Sequence, residues 1–262
     1  MSDATTLEAS SPPNIQSISI SDVLSAFKSG LQDFRTAPAF GLFFALFFVL
    51  GGIVLFLEFE VMGQSYWIIP VAFGFPFLAP FLAVGLYEVS RRLGNGTPLD
   101  WAQILGVVFN QKDRQFPSIA MVLIMGFLFW IFVAHIVFML FMGLQPMTNI
   151  TSNWQDSLLT SNGITMLAVG SAVGGAMAFV AFALTVCSLP MLLDREMDFI
   201  SAMIYSFQSV LQNLVPMLFW GAMITFMMVL AMIPLFLGLF IVLPVLGHAT
   251  WHLYRKVMSF DD

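Results

Sequence analysis

Two histidines four residues apart, His248 and His252, are the first residues in this chain whose types and spacing could do chemistry. At i and i+4 they share one helix face, where a pair of imidazoles could ligate a metal or accept a proton together. No Glu and no further ligand accompany them as in a metal-hydrolase helix, and Arg255 lies close behind. Hydrogen bonding to neighbouring helices or headgroups is therefore the favoured reading. The third histidine, His135, lies 19 residues beyond Phe116, about 28 Å along a helix. That puts it near the opposite surface, too far to share a metal, and an interhelical hydrogen bond is expected there.

Glu88 precedes Arg91 and Arg92 by three and four residues, the spacing at which opposite charges meet along one helix face. Its functional alternative is a proton or substrate contact in a cytoplasmic cavity that also contains His252. Asp194, Arg195, Glu196 and Asp198 form a charged junction expected to cap the helix that follows. Cys187 stands alone, so neither an intramolecular disulfide nor a site of several thiolates is possible. Met217, Met223, Met227, Met228 and Met232 read as flexible packing rather than a copper(I) site. There is no Gly-rich phosphate loop and no Ser, His and Asp constellation. No catalytic, cofactor or metal residues are expected, and the chain is read as a non-enzyme. Glu88, His135, His248 and His252 remain as candidate functional polar residues.

The elements that must position these residues are membrane helices. Of 262 residues, 59% are hydrophobic and 9% charged, against roughly 25% charged in soluble domains. With 9 basic and 15 acidic side chains, the chain lacks the basic clusters that nucleic acid requires. Apolar runs able to cross about 30 Å of hydrocarbon occur near 37–57, 67–90, 116–144 and 163–190, and one long stretch covers 214–256. A single helix over that last stretch would exceed about 60 Å, so it should fold back near Pro234 and Gly238. Six spans follow. With the N-terminus in the cytoplasm, all 9 basic residues lie inside. The outer segments then hold only Glu58, Glu60 and Asp156. Tyr66 and Trp67 at one end, and Trp251 and Tyr254 at the other, suit headgroup depth. Both termini are expected on the cytoplasmic side. Residues 1–16 read as a disordered tail without the features of a signal peptide.

Before each odd-numbered span the same pattern recurs, an Asp, an amphipathic stretch and a Pro. The copies run from Asp22 to Pro38, Asp100 to Pro117 and Asp198 to Pro216, separated by 16, 17 and 18 residues. Ile20, Val23, Leu24, Phe27, Leu31 and Phe34 lie on one helical face, as do Phe199, Ile200, Met203, Ile204, Phe207, Val210, Leu211 and Leu214. The expected fold is all-α: one polytopic membrane domain over 17–262, built as three repeats (about 17–97, 98–196 and 197–258). Each repeat is an interfacial helix followed by a transmembrane hairpin. Pro70, Gly74, Pro76 and Pro80 interrupt span two, and Gly170, Ser171, Gly174, Gly175 and Ala178 form a small-residue stripe in span four.

The strings GLYEVSRR (85–92), SLPMLLDRE (188–196), GHATWHLYRK (247–256) and FGFPFLAP (73–80) resemble the bacterial family named domain of unknown function 2189. The likeness runs from about Ile18 to Val257. It implies a multi-pass protein of the bacterial inner membrane with no established activity. Some members carry the label cytochrome c oxidase subunit I, which implies respiratory-complex subunits as partners. A haem–copper core needs roughly six His ligands, and this chain has 3, so the catalytic subunit is excluded. The leading expectation is a non-enzymatic scaffold or accessory partner of a membrane complex, in contact with the lipid bilayer. The alternative is a small-molecule or lipid transporter with a site between spans two and six.

Overall fold

Helix starts are set by short polar side chains. The computed structural model describes residues 12–57, 68–143 and 159–260, with the side chains of 68–78 outside that description. Its helices are α1 (Ile20–Thr36), α2 (Pro38–Leu57), α3 (Ile68–Asn95), α4 (Trp101–Asn110), α5 (Phe116–Met142), α6 (Ser161–Thr185), α7 (Ser188–Asp194), α8 (Phe199–Gln212), α9 (Leu214–Met232) and α10 (Leu239–Val257). Strands β1 (Asn14–Ile15) and β2 (Met258–Ser259) pair antiparallel. Asp100 and Asp198 cap α4 and α8, each accepting from a backbone N–H at 2.9 Å. Asp22 differs. Ser19 is the cap of α1, and Asp22 closes a reciprocal box by accepting the Ser19 N–H at 3.0 Å. The three expected copies therefore do not share one cap register.

The hydrogen bonds from Ser19, with Lys256 alongside, hold the Asp22 carboxyl down from its ordinary 3.8 to about 2. A depressed carboxyl contributes stability above its unfolded pKa, which is lost as pH falls through the folded one. The difference in unfolding midpoint between the parent and Asp22→Asn is expected to be constant above pH about 4 and to vanish towards pH 2. A pH series of thermal melts checks this.

Four stretches among the described residues are long and apolar enough to cross a membrane: Pro38–Leu57, Phe116–Met142, Ser161–Asp194 and Leu214–Met232. Six were expected. The sixth, α10, ends in His248, Thr250, His252, Arg255 and Lys256, and this polar end keeps it out of that set. The outer half of α3, with Pro70, Gly74 and Pro76, has side chains outside the description, and Glu58, Glu60, Tyr66, Trp67 and Asp156 lie outside the described residues. Between α9 and α10 the chain does turn at Pro234 to Gly238. Leu235 and Phe236 take left-handed φ values of 51° and 64°, unusual for bulky residues. The Phe236 ring packs onto Gly52, where any Cβ would lie 2.5 Å from its Cγ.

The helices group into two compact units, Val122–Phe182 and the remainder. In the smaller unit Trp130 packs over Gly174, and Val137, Phe138 and Met166 form its buried cluster. In the larger unit α10 is central and touches α1, α2, α3, α7 and α9. Asn14, Ile15 and Gln16, expected within a disordered tail, are held in place. Asn14 and Ile15 pair with Ser259 and Met258, and Asn213 accepts the Ile18 N–H at 2.8 Å while donating to the Gln16 carbonyl at 3.0 Å.

Only part of the large apolar face of α1 packs on protein. Its buried residues are Val23, Ala26 and Gly30, whereas Ile20 and Leu24 are exposed, as are Ser21, Ser25, Lys28, Gln32 and Arg35 on a third side. Small residues let backbones approach closely, and a Cβ on Gly30 would sit 2.4 Å from the Ala249 nitrogen of α10. One stripe thus meets protein, one suits lipid and one suits water. Helix α8 divides similarly, burying Ala202, Ser206 and Ser209 while exposing Ile200, Ile204 and Leu211.

Candidate functional site

Helices α1, α3 and α10 each bring polar side chains to one buried point. Asp33, one turn beyond Gly30, is carried inward by the same close contact with α10. Ser90 on α3 donates from Oγ to Asp33 Oδ2 at 2.7 Å, and His252 Nε2 reaches the same oxygen at 2.7 Å. His248 Nδ1 lies 2.8 Å from Ser90 Oγ. The hydroxyl has one proton, and a carboxylate only accepts. With that proton on Asp33, the bond to His248 requires Nδ1–H to donate to Ser90. The Leu86 carbonyl faces the ring, but Nε2 has no hydrogen-bond partner among the described residues.

This arrangement differs from a nucleophilic triad. There the hydroxyl gives its proton to an imidazole nitrogen, whereas here it gives it to the carboxylate and accepts from the ring. Ser90 and His248 are fully buried, while the Asp33 and His252 side chains are 13% and 27% exposed. The chemistry it supports is cohesion of three helices. Ser90→Ala is expected to cost about 2 kcal/mol, because it strands Nδ1 of a buried ring and takes one donor from Asp33. His248→Leu removes more atoms but also the unpartnered Nε2, so about 1 kcal/mol is expected. Detergent-titrated unfolding of the two variants checks the order.

Glu88 is also fully buried and is held by both arginines. Arg91 Nη2 lies 2.6 Å from Oε2 and Arg92 Nε 2.7 Å from Oε1. Arg92 continues to the Pro98 carbonyl and Gln103 Oε1, tying α3 to α4. Glu88 and His252 are not partners. His135 belongs to the smaller unit, and its Nδ1 bonds the Ile131 carbonyl of its own helix at 2.7 Å, so the interhelical bond expected of it is replaced by an i−4 one. Of the four expected polar residues, only His248 and His252 share a network.

Trp251 and Tyr254 also depart from expectation. Both rings are buried, Tyr254 donates to Asp194 Oδ2 at 2.9 Å, and Trp251 packs between Tyr87 and Tyr254. The Tyr254 hydroxyl and the two ring faces are thus engaged with protein. Asp33 and Ser90 are the residues the sequence reading missed. The available signal was Asp33 itself, a lone carboxylate in line with Ala26 and Gly30.

Residues 68–194 match the family model described as predicted integral membrane protein (DUF2189). The chain resembles DUF2189 over this stretch. No curated protein and no solved structure matches it. The DUF2189 stretch holds Glu88, Ser90, Arg91 and Arg92, whereas Asp33, His248 and His252 lie outside it. Three of the quoted strings, FGFPFLAP, GLYEVSRR and SLPMLLDRE up to Asp194, fall within the DUF2189 match, and GHATWHLYRK falls beyond it.

Proposed function

We propose that this chain is a non-enzymatic membrane scaffold, an accessory partner of a larger membrane complex. One observation carries the reading. Among the described side chains, the stretch of the α3–α10 seam around Leu86, Glu88, Gly247 and His248, where a transport site would have to open, is filled. Glu88 and His248 are fully buried, and Leu86 sits so close to Gly247 that a Cβ there would lie 2.5 Å from its Cδ1. The Asp33, Ser90, His248 and His252 hydrogen bonds tie three helices together and leave the outer faces of the bundle for contacts. Those faces are rich in large apolar side chains, such as Phe129, Phe132 and Leu140 on α5. In this reading the chain crosses the bacterial inner membrane six times, with α3 and α10 as the two further spans and both termini in the cytoplasm. The excess of cytoplasmic Lys and Arg supports that orientation.

The test is affinity purification from native membranes under mild detergent, followed by mass spectrometry. Stoichiometric recovery of subunits of one complex supports the reading, and respiratory oxidase subunits are the partners expected from the family label. Recovery of this chain alone or as a homo-oligomer overturns it.

A further inference from the structure

A second polar feature lies beside the buried network and is not absorbed by it. A cleft of about 290 Å³ opens where the ends of α3, α4 and α7 meet, lined by Arg91, Arg114, Arg195, Asp194, Glu196 and Gln111 among others. Its size is near the small end of ligand clefts, roughly 300 Å³. We propose that this cleft binds a zwitterion carrying a phosphate and a primary ammonium group, the chemistry of a phosphoethanolamine headgroup.

Three observations converge on that class. Guanidinium groups prefer phosphate oxygens, and three of them line the cleft; their side chains are partly exposed, so they can reach a ligand. Two carboxylates stand among them. Glu196 pairs with Arg114 yet is half-exposed, and Asp194 accepts from Tyr254 and Arg255. Such a mixed lining disfavours a simple anion, which would face both carboxylates, and a simple cation, which would face three arginines. Gln111 is 2% exposed, and its Oε1 has no hydrogen-bond partner among the described residues. A buried amide oxygen without a donor is costly, and an ammonium N–H supplies the missing donor.

Position points the same way. Arg114 lies two residues before the apolar helix α5, and Asp194 is the last residue of the apolar Ser161–Asp194 stretch. Charged groups at the ends of membrane-length helices lie at headgroup depth. The phosphate and amine could belong to a lipid or to a soluble phosphoamine, and the experiment separates these sources.

Full-length protein in detergent, stripped of lipid, is titrated with short-chain phosphatidylethanolamine, phosphatidylcholine and phosphatidylglycerol, and occupancy is read by native mass spectrometry. Phosphatidylethanolamine is expected to bind about tenfold tighter than phosphatidylcholine, which has no N–H for Gln111, and than phosphatidylglycerol, which has no amine. Gln111→Met keeps the volume and removes the unpartnered oxygen. It is expected to fold with an undiminished unfolding midpoint and to erase the preference over phosphatidylcholine. Glu196→Gln, on a half-exposed side chain, gives an independent test by weakening phosphatidylethanolamine but not phosphatidylglycerol. Arg114→Gln is expected to lower phosphatidylethanolamine binding about tenfold, while Lys112→Gln, exposed and outside the cleft, leaves it unchanged. Saturable binding of O-phosphoethanolamine without lipid preference supports the same site with a soluble ligand. Equal binding of the three lipids and no O-phosphoethanolamine binding, tighter phosphatidylglycerol, or a preference that survives both Gln111→Met and Glu196→Gln overturns the proposal.

Discussion

Gly30→Ala, the addition of one methyl group, is expected to cost about 3 kcal/mol or more. The new Cβ would meet the Ala249 nitrogen at 2.4 Å, and the Ala249 Cα and Val245 carbonyl oxygen at 2.7 Å. These are backbone atoms of α10, so no side chain can rotate away and the whole of α1 must move outward. That movement also draws Asp33, three residues on, away from Ser90 and His252. Gly106→Ala on α4 is the control. Nothing lies within 4 Å of a Cβ there, and the better helix propensity of Ala should stabilise by up to about 1 kcal/mol. Unfolding in mixed micelles with rising SDS should therefore move in opposite directions for the two variants. Similar midpoints would show that α1 and α10 are not in close backbone contact.

Glu88→Gln is the second large effect, at about 3 kcal/mol. The side chain is fully buried, and Arg92 is only 12% exposed, so removing the carboxylate charge leaves a guanidinium that cannot reach water freely. Arg91 is 35% exposed and can extend outward, which limits the loss to one cation. Two residues acting as one ion pair should not be additive. The double variant Glu88→Gln with Arg92→Gln is expected to recover more than half of the loss, measured by the same SDS titration. Losses that simply add would mean that Arg92 draws its stability from Pro98 and Gln103 and not from Glu88.

Much of the fold is visible in residue order because bilayer physics is coarse. A stretch of 20 apolar residues such as Pro38–Leu57 has few alternatives to a helix, and Pro234 and Gly238 mark the turn because one lacks a donor and the other fits where the chain nearly touches Ala231. Periodicity shows only part of the packing in α1 and α8. It finds the large side chains, of which Ile20, Leu24, Ile200, Ile204 and Leu211 are exposed, while packing also uses Ala26, Gly30, Ala202 and Ser206, which carry little hydrophobic signal.

The site was half visible. His248 and His252 announce themselves by spacing within one helix. Asp33 and Ser90 are single polar residues separated from their partners by 57, 158 and 219 positions. Nothing local distinguishes Ser90 from any serine near a helix end. Its role exists only once α1, α3 and α10 are packed. The cleft is similar, since Gln111 gains meaning from what fails to bond to it.

The short pairing of Asn14 and Ile15 with Ser259 and Met258 looks minor beside these helices, yet it imposes a rule of parity. Two ends of a chain that are hydrogen-bonded to each other occupy the same face of any bilayer the chain traverses. The number of traverses between β1 and β2 must then be even, whichever helices make them and whichever face is inward. A reporter fused to either terminus will therefore give the same side, and an odd count obtained by any labelling method would mean that one crossing had been missed or that the β1–β2 clasp had been opened.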